Sequence, residues 1–594
     1  LGAISGAMAL MMCLSSPVFA LRLSESGTKS RTKRTAVRKD STARVTETQP
    51  DRATPAQPTM EQMMDLTARL QKLEELVHQQ QQELEHERGV KAADICATST
   101  VQPRLPDQIA GTAAKVTAGK DSPATEVASG TGSDPAPQKV NAGGPASSPA
   151  ATAPAVQEEG PLSLRIGRAS ISPVGFADLT AFYRSTNVGS SIGTNFGSIP
   201  FSNTPAGRLS ETRFSAQKSQ IGLRVDADVN GAHVVGYFDT DFFGASPGNV
   251  AVPGNTYPNR ILVAFVDVRK DKFEVLGGQA WSLLTPGRRG ISPFWPDIFI
   301  SKDADINFQV GLAAARNGQI RFVYHPSDTV ALAVSVENPE QYTGGSLGAG
   351  TITLPSTLVT PYAGQLNNGT TTLSVPNLHP DIVAKVAFDP KWNGRDFHIE
   401  AAGVVRSFAL FNPMSNRRFV ATGGGALLGL NLEVIKHLHL ISHLFYSDGG
   451  GRYTYGLAPD LVVRGDGSPS LIHSASTVTG FEAQLTDKSM IFAYYGGVYI
   501  QRNVVLDPAT LKFVGYGFAG SPSSNNRSIQ EWTAGFNRTL WKNPSYGGLQ
   551  FITQYSYVVR NPWAVAPGQP TSAHSNLVFI DFRYELPGAP PPSH

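Results

Sequence analysis

Between Leu162 and Leu586 apolar residues return at every second position, segment after segment. In Ile221-Gly222-Leu223-Arg224-Val225-Asp226-Ala227-Asp228-Val229 every odd position is apolar and every even one is small or charged. The stretch Leu432 to Leu440 repeats the pattern, and His437, His439 and His443 fall together on its polar face. Near the end, Val578, Ile580, Phe582, Tyr584 and Leu586 alternate with Phe579, Asp581, Arg583 and Glu585. A period of two belongs to strands, so the region is expected to be all-β.

A soluble sandwich would alternate in the same way. Three signs favour a membrane instead. The alternating segments run about 9–11 residues, enough to cross a bilayer at a tilt. Aromatic pairs such as Phe182-Tyr183, Phe242-Phe243, Phe445-Tyr446 and Tyr494-Tyr495 sit near segment ends, as interface girdles do. Short Asp/Asn/Gly turns alternate with long polar loops such as 341–375 and 506–528. No window after the first residues offers 18 apolar residues in a row, so a membrane location requires a closed barrel. Charged residues make up only 16% of the chain, against roughly 25% in average globular domains, which suits strands facing lipid. At roughly 25 residues per strand and its share of loop, 161–587 makes a transmembrane antiparallel β-barrel of about 16 strands, with 18 as the alternative. That size leaves a water-filled lumen. Residues 588–594 form a C-terminal tail.

Ahead of the barrel lie four segments. Residues 1–20 read as a signal peptide, apolar to Leu14, with Val18-Phe19-Ala20 as the small-x-small cleavage pattern. Residues 21–59 form a basic, disordered tail crowded with Lys29, Arg31, Lys33, Arg34, Arg38 and Lys39. A solvated tail is the plain reading, and contact with anionic cell-wall polymer the other. In 60–90, Met63, Leu66, Leu70, Leu73, Val77, Gln80 and Leu84 follow 3-4-3-4 spacing, the seam of a coiled-coil helix that needs partner copies of the chain. Residues 91–160 are an Ala/Pro/Ser/Gly-rich linker, disordered because it lacks apolar residues to bury. Cys13 and Cys96 are the two cysteines, and cleavage after Ala20 leaves one, too few for a disulfide framework or a cysteine metal site. A net charge of +3 gives no ground for nucleic-acid binding. No cofactor motif is present: there is no HExxH and no phosphate-binding loop.

The order of signal peptide, heptad helix, linker and large barrel resembles the DcaP-like trimeric porins. So do the phrases Gly236-Tyr237-Phe238-Asp239-Thr240-Asp241-Phe242-Phe243-Gly244, Gly278-Gln279-Ala280-Trp281-Ser282, Ala315-Arg316-Asn317-Gly318-Gln319-Ile320-Arg321 and His379-Pro380-Asp381-Ile382-Val383-Ala384. The resemblance implies a homotrimer in the outer membrane of a Gram-negative bacterium, with the N-terminal region in the periplasm. Its contacts would be lipid and lipopolysaccharide. It would pass small hydrophilic solutes by diffusion, some relatives favouring dicarboxylates and similar anions, and would not be an enzyme. The chain departs from the family's usual aromatic last residue: Pro587 to His594 follow the final strand, leaving Phe582 and Tyr584 as the terminal aromatics.

The chemistry of a pore is the field and width of its constriction. The alternation turns Arg224, Asp226, Asp228, Asp239 and Asp241 inward. Arg316, Arg321, Arg406 and Arg502 lie in apolar or small surroundings, where an outward charge at mid-membrane costs about 2–4 kcal/mol, so inward placement is expected. Any one of these could equally be an ordinary solvated wall residue. His437 and His439 would stand about 7 Å apart along a strand, and polar lining fits them better than a metal. The loop after Trp281, with Arg288 and Arg289, and the loop 341–375 are candidates for the constriction. Gly344-Gly345-Ser346-Leu347-Gly348 matches a nucleophile elbow but sits in a glycine-rich loop with no helix after it. The main competing reading is an outer-membrane to cell-wall anchor with a closed or narrow barrel.

Overall fold

The computed structural model describes residues 161–244, 258–345, 350–368 and 375–587. The signal peptide, basic tail, coiled-coil seam, linker, C-terminal tail and most of the elbow-like motif lie outside them.

Sixteen antiparallel strands close on themselves. They are β1 (Ala169–Arg184), β2 (Gln220–Val229), β3 (Ala232–Asp241), β4 (Arg260–Lys270), β5 (Phe273–Trp281), β6 (Arg316–Ser327), β7 (Val330–Glu337) and β8 (Asp381–Phe388). The wall continues with β9 (Arg395–Asn412), β10 (Arg417–Ile435), β11 (Leu438–Asp448), β12 (His473–Thr486), β13 (Ser489–Ile500), β14 (Asn526–Asn543), β15 (Gly547–Pro562) and β16 (Ala573–Glu585). Each strand pairs with the next. The ring shuts where β1 meets β2 through Ala169↔Ala227 and β16 through Arg184↔Leu577. The expectation of 16 strands holds.

Strand lengths differ from expectation. β9 has 18 residues and β10 has 19, nearly twice the length that a bilayer needs. Their pairing runs without a break to Asn412↔Arg417, next to the tight connection 413–416, so this hairpin outruns the apolar belt. The stretch Leu432–Leu440 is also not one strand. It is cut by a turn at Lys436-His437, where His437 has φ +69°, so His437 sits exposed in the turn and not on the inner wall.

The two faces are inverted relative to a soluble protein. In β8, Ile382, Val386 and Phe388 point out and stay 41–44% exposed, while Val383, Lys385 and Ala387 are covered inside. On β6, Ile320 and Phe322 lie bare outside while Gln319 and Arg321 are buried. Water would penalise each such bare side chain by about 1.5–3 kcal/mol, and lipid would not. None of the described helices is long and apolar enough to cross a membrane. Phe582 and Tyr584 both face outward on the last strand.

Turn chemistry fixes the register at the short end. Asn230-Gly231 joins β2 to β3 with both residues at positive φ, 51° and 77°, the twist that a two-residue hairpin requires. Glycine is required more strictly at Gly175, where β1 is crowded at the seam. Its φ is +129°, a Cβ there would lie 2.3 Å from the Gln220 carbonyl oxygen, and its own carbonyl accepts from the Leu586 N–H. Gly175→Val is therefore expected to open the seam. Backbone strain alone costs on the order of 1–3 kcal/mol, and the variant should lose the heat-dependent gel shift of a folded barrel. Gly231→Ala carries the strain of a positive φ but meets no atom within 4 Å, so it should keep that shift.

Candidate functional site

The connection 282–315 between β5 and β6 does not stand outside the barrel but crosses its lumen. The reason lies in its own hydrogen-bonding needs. A loop inside a barrel must satisfy its backbone on the wall, and this wall offers side-chain acceptors all the way round. The Leu283 N–H donates to Glu337 Oε1 on β7 at 2.8 Å, and the Thr285 carbonyl accepts from Lys385 Nζ on β8 at 2.7 Å. The Gly287 N–H donates to Glu400 Oε1 on β9 at 2.9 Å. Further along, the Lys302 N–H donates to Tyr494 Oη on β13 at 3.2 Å, and the Val310 N–H to Glu531 Oε2 on β14 at 2.9 Å. Lys218 Nζ closes the far side, donating to the Ala304 carbonyl at 2.6 Å and pairing with Asp581 on β16 at 3.1 Å.

One ion pair spans the middle. Arg288 Nη1 and Nη2 reach Glu482 Oε2 and Oε1 on β12 at 2.8 and 2.7 Å, and Glu482 Oε1 also accepts from Tyr494 Oη at 2.7 Å. Burial alone would lower the Arg288 pKa, but the facing Glu482 overrides it and leaves the guanidinium above its ordinary range. On the same loop, burial pushes the Asp303 and Asp305 carboxyls up. Between the loop and the β5–β8 wall remains only a small gap, lined among others by Trp281, Thr285, Arg321 and Lys385. It has room for about one water molecule.

Most of the residues singled out from sequence face this lumen. Arg224 is buried and holds Asp226 at 2.7 Å. Asp239 and Asp241 are covered; Asp241 pairs with Arg260 at 2.6 Å, while Asp239 Oδ1 has no hydrogen-bond partner among the described residues. Arg406 is locked between Asp381 at 3.0 Å and Asp460 at 3.1 Å, a wall brace rather than a free charge. Arg316 stacks over Trp281 at 5.5 Å, and Arg321 donates to Gln319 and to the Trp281 carbonyl. Neither forms an ion pair among the described residues. His439 bonds Asn431 at 3.0 Å, and His443 is buried against the loop at Gly311 and Ala313.

Two other placements differ from expectation. Asp228 lies at the rim beside the Asn230-Gly231 turn, 86% exposed, with His233 at 3.1 Å. Arg502 is exposed in the connection after β13, near the Trp563 ring, because β13 ends at Ile500. Of the two constriction candidates, the loop after Trp281 is the one that crosses the lumen. The other packs Leu358 and Tyr362 against Phe408, Leu410 and Leu461.

The wall partners of the loop, Glu337, Lys385, Glu400, Glu482 and Glu531, escaped the sequence reading. Lys385 carried a signal, as a lone charge inside Ile382-Val383-Ala384-Lys385-Val386-Ala387-Phe388. Among the described residues, no group of three or more His, Cys, Asp or Glu could hold a metal. Glu482→Ala would leave Arg288 buried without its partner, a loss of about 3–5 kcal/mol from the loop's anchoring. Planar-bilayer recordings of that variant should show conductance at least doubled and noisier openings.

No protein-family model matches the sequence, and no curated protein sequence matches it. Among solved structures, the outer-membrane channel DcaP of Acinetobacter baumannii is similar over 70% of this chain and 97% of its own, with a TM-score of 0.51 and 18% identity. The anion-selective porin of Comamonas acidovorans aligns over 70% and 100%, with a TM-score of 0.40 and 12% identity. Salmonella typhi OmpF aligns over 71% and 100%, with a TM-score of 0.38 and 9% identity.

Proposed function

We propose that this chain, which has the fold of the DcaP channel, is an outer-membrane porin passing small hydrophilic solutes by passive diffusion through a lumen narrowed by residues 282–315. The observation that carries the reading is the inverted barrel with a polar loop bonded across its interior. A bare apolar exterior supports a wall lying in lipid, and the two-sided anchoring of the loop supports a fixed narrow section. The protein is exported, its N-terminal region lies in the periplasm, and it assembles as a homotrimer through the coiled coil of 60–90. Lipid and lipopolysaccharide surround the barrel.

The lumen prefers anions, dicarboxylates among them. Arg316 and Arg321 support this, because they face inward with no ion pair among the described residues, whereas Arg288 and Arg406 are neutralised by their partners. Opposed to them, Asp239 is an inward carboxylate with an unpartnered oxygen among the described residues, which resists anions. The narrowness also favours a selective channel over a wide sieve. In a KCl gradient, the purified protein should give stepwise openings in threes, with a reversal potential of anion sign. Arg316→Gln with Arg321→Gln should move that potential toward the cation side. A folded barrel that never conducts would move the reading to an outer-membrane anchor.

A further inference from the structure

The tip of the constricting loop is held by a histidine in an unusual position. His398 is 1% exposed, three residues into β9. Its Nδ1 lies 2.9 Å from Asp389 Oδ1 and its Nε2 lies 3.1 Å from Glu400 Oε2. Ionised carboxylates only accept, whereas a neutral imidazole donates from one nitrogen and accepts at the other. Both contacts are therefore satisfied together only by the imidazolium.

The same two carboxylates hold the loop. The Gly287 N–H donates to Glu400 Oε1 at 2.9 Å, and the Gly290 N–H donates to both oxygens of Asp389 at 3.1 Å. Lys385 also faces the cluster, 2.8 Å from Glu400 Oε2, with its Nζ on the Thr285 carbonyl. From β10, Asn431 stands across from His398 in register and donates to the Arg288 carbonyl. Neighbouring charges on the loop are Arg288, committed to Glu482, and Arg289. Beyond Asn431 stands His439. Packing is tight: a Cβ on Gly287 would come within 3.0 Å of His398 Nε2 and Glu400 Oε2. Asp389 is 18% exposed, so solvent reaches one end of the cluster.

We propose that His398 is a pH-sensitive catch for the constriction. When the imidazolium gives its proton to solvent on alkalinisation, either tautomer left behind turns a lone pair toward Asp389 or Glu400. That carboxylate moves away, takes its glycine N–H with it, and frees the loop tip between Thr285 and Gly290. The pore then widens. Lys385 retains Glu400, so the Asp389–Gly290 contact gives way first. The widening rests on the porin reading; the release of the loop does not.

The test records single-channel conductance between pH 6 and pH 11 and follows hydrogen–deuterium exchange of the 282–300 peptides, corrected for intrinsic rates, on the same trimers. The wild type should step up at least twofold in conductance at alkaline pH, with faster exchange over 285–290. His398→Gln should sit in the wide, fast-exchanging state throughout, and Asp389→Asn should loosen Gly290 at every pH. Retention of the heat-dependent gel shift verifies that each variant is folded. A pH-independent wild type, or a step of equal size in His398→Gln, overturns the catch. A protein silent at every pH whose loop exchange still steps sinks the porin reading and keeps the catch. A protein silent at every pH with unchanging exchange sinks both.

Discussion

Everything in this structure follows from one requirement: in hydrocarbon, each backbone N–H and C=O must find its partner within the protein. A sheet with edges fails that requirement, so β1 must bond on one side to β2 and on the other to β16. The 16-strand count then sets a circumference too wide for wall side chains to fill. The space is taken up by chain instead, and the loop 282–315 meets the same requirement a second time, inside. Its amides are met by Glu337, Glu400, Glu531 and Asp389. The loop is thus as firmly specified as a strand, though it has no regular structure.

The wall was legible in the sequence because its signal is local. Ile221 to Val229 and Val578 to Tyr584 each show which residues face out within nine residues or fewer, and the structure puts Ile221, Leu223, Phe582 and Tyr584 outside. Strand number followed from spacing. What a local pattern cannot carry is which residues meet across the barrel. Arg288 and Glu482 are 194 positions apart, and their pairing depends on the register of every strand between. For the same reason Arg406 read as a pore charge when it is a wall brace: its partner Asp460 comes from another loop. The misplaced His437 has a simpler cause. Leu432 to Leu440 keeps its alternation through a two-residue turn because the register shift between Glu433 and Ile435 restores the parity that such a turn reverses, so Leu432 still pairs with Leu440.

Burying so many charges inside a barrel raises the question of why the lumen is not lined with neutral polar groups. A paired charge holds a loop by direction as well as by strength, since a guanidinium meets a carboxylate in one plane with two bonds. Arg288 on Glu482 has that form. Pairing also removes most cations from the field seen by a solute. Among the described residues, Arg316 and Arg321 on β6 and Asp239 on β3 are among the inward charges that stay outside these ion pairs, so the groups that hold the loop and the groups left without a charged partner are different ones.

The reach of the loop also dictates the order in which the molecule can be made. Strands β1 to β6 can align as soon as they are delivered, but residues 302–310 wait for Tyr494, Glu531 and Gln554, and Lys218 waits for Asp581. Those groups arrive with the last strands. Residues 283–288 can already bond to β7, β8, β9 and β12, but until the last strands have arrived residues 302–310 have nowhere to dock, so an assembling barrel carries a half-anchored constriction. The narrow passage is the product of closure and cannot precede it, which ties the permeability of the finished wall to the completion of its slowest and most distant contacts.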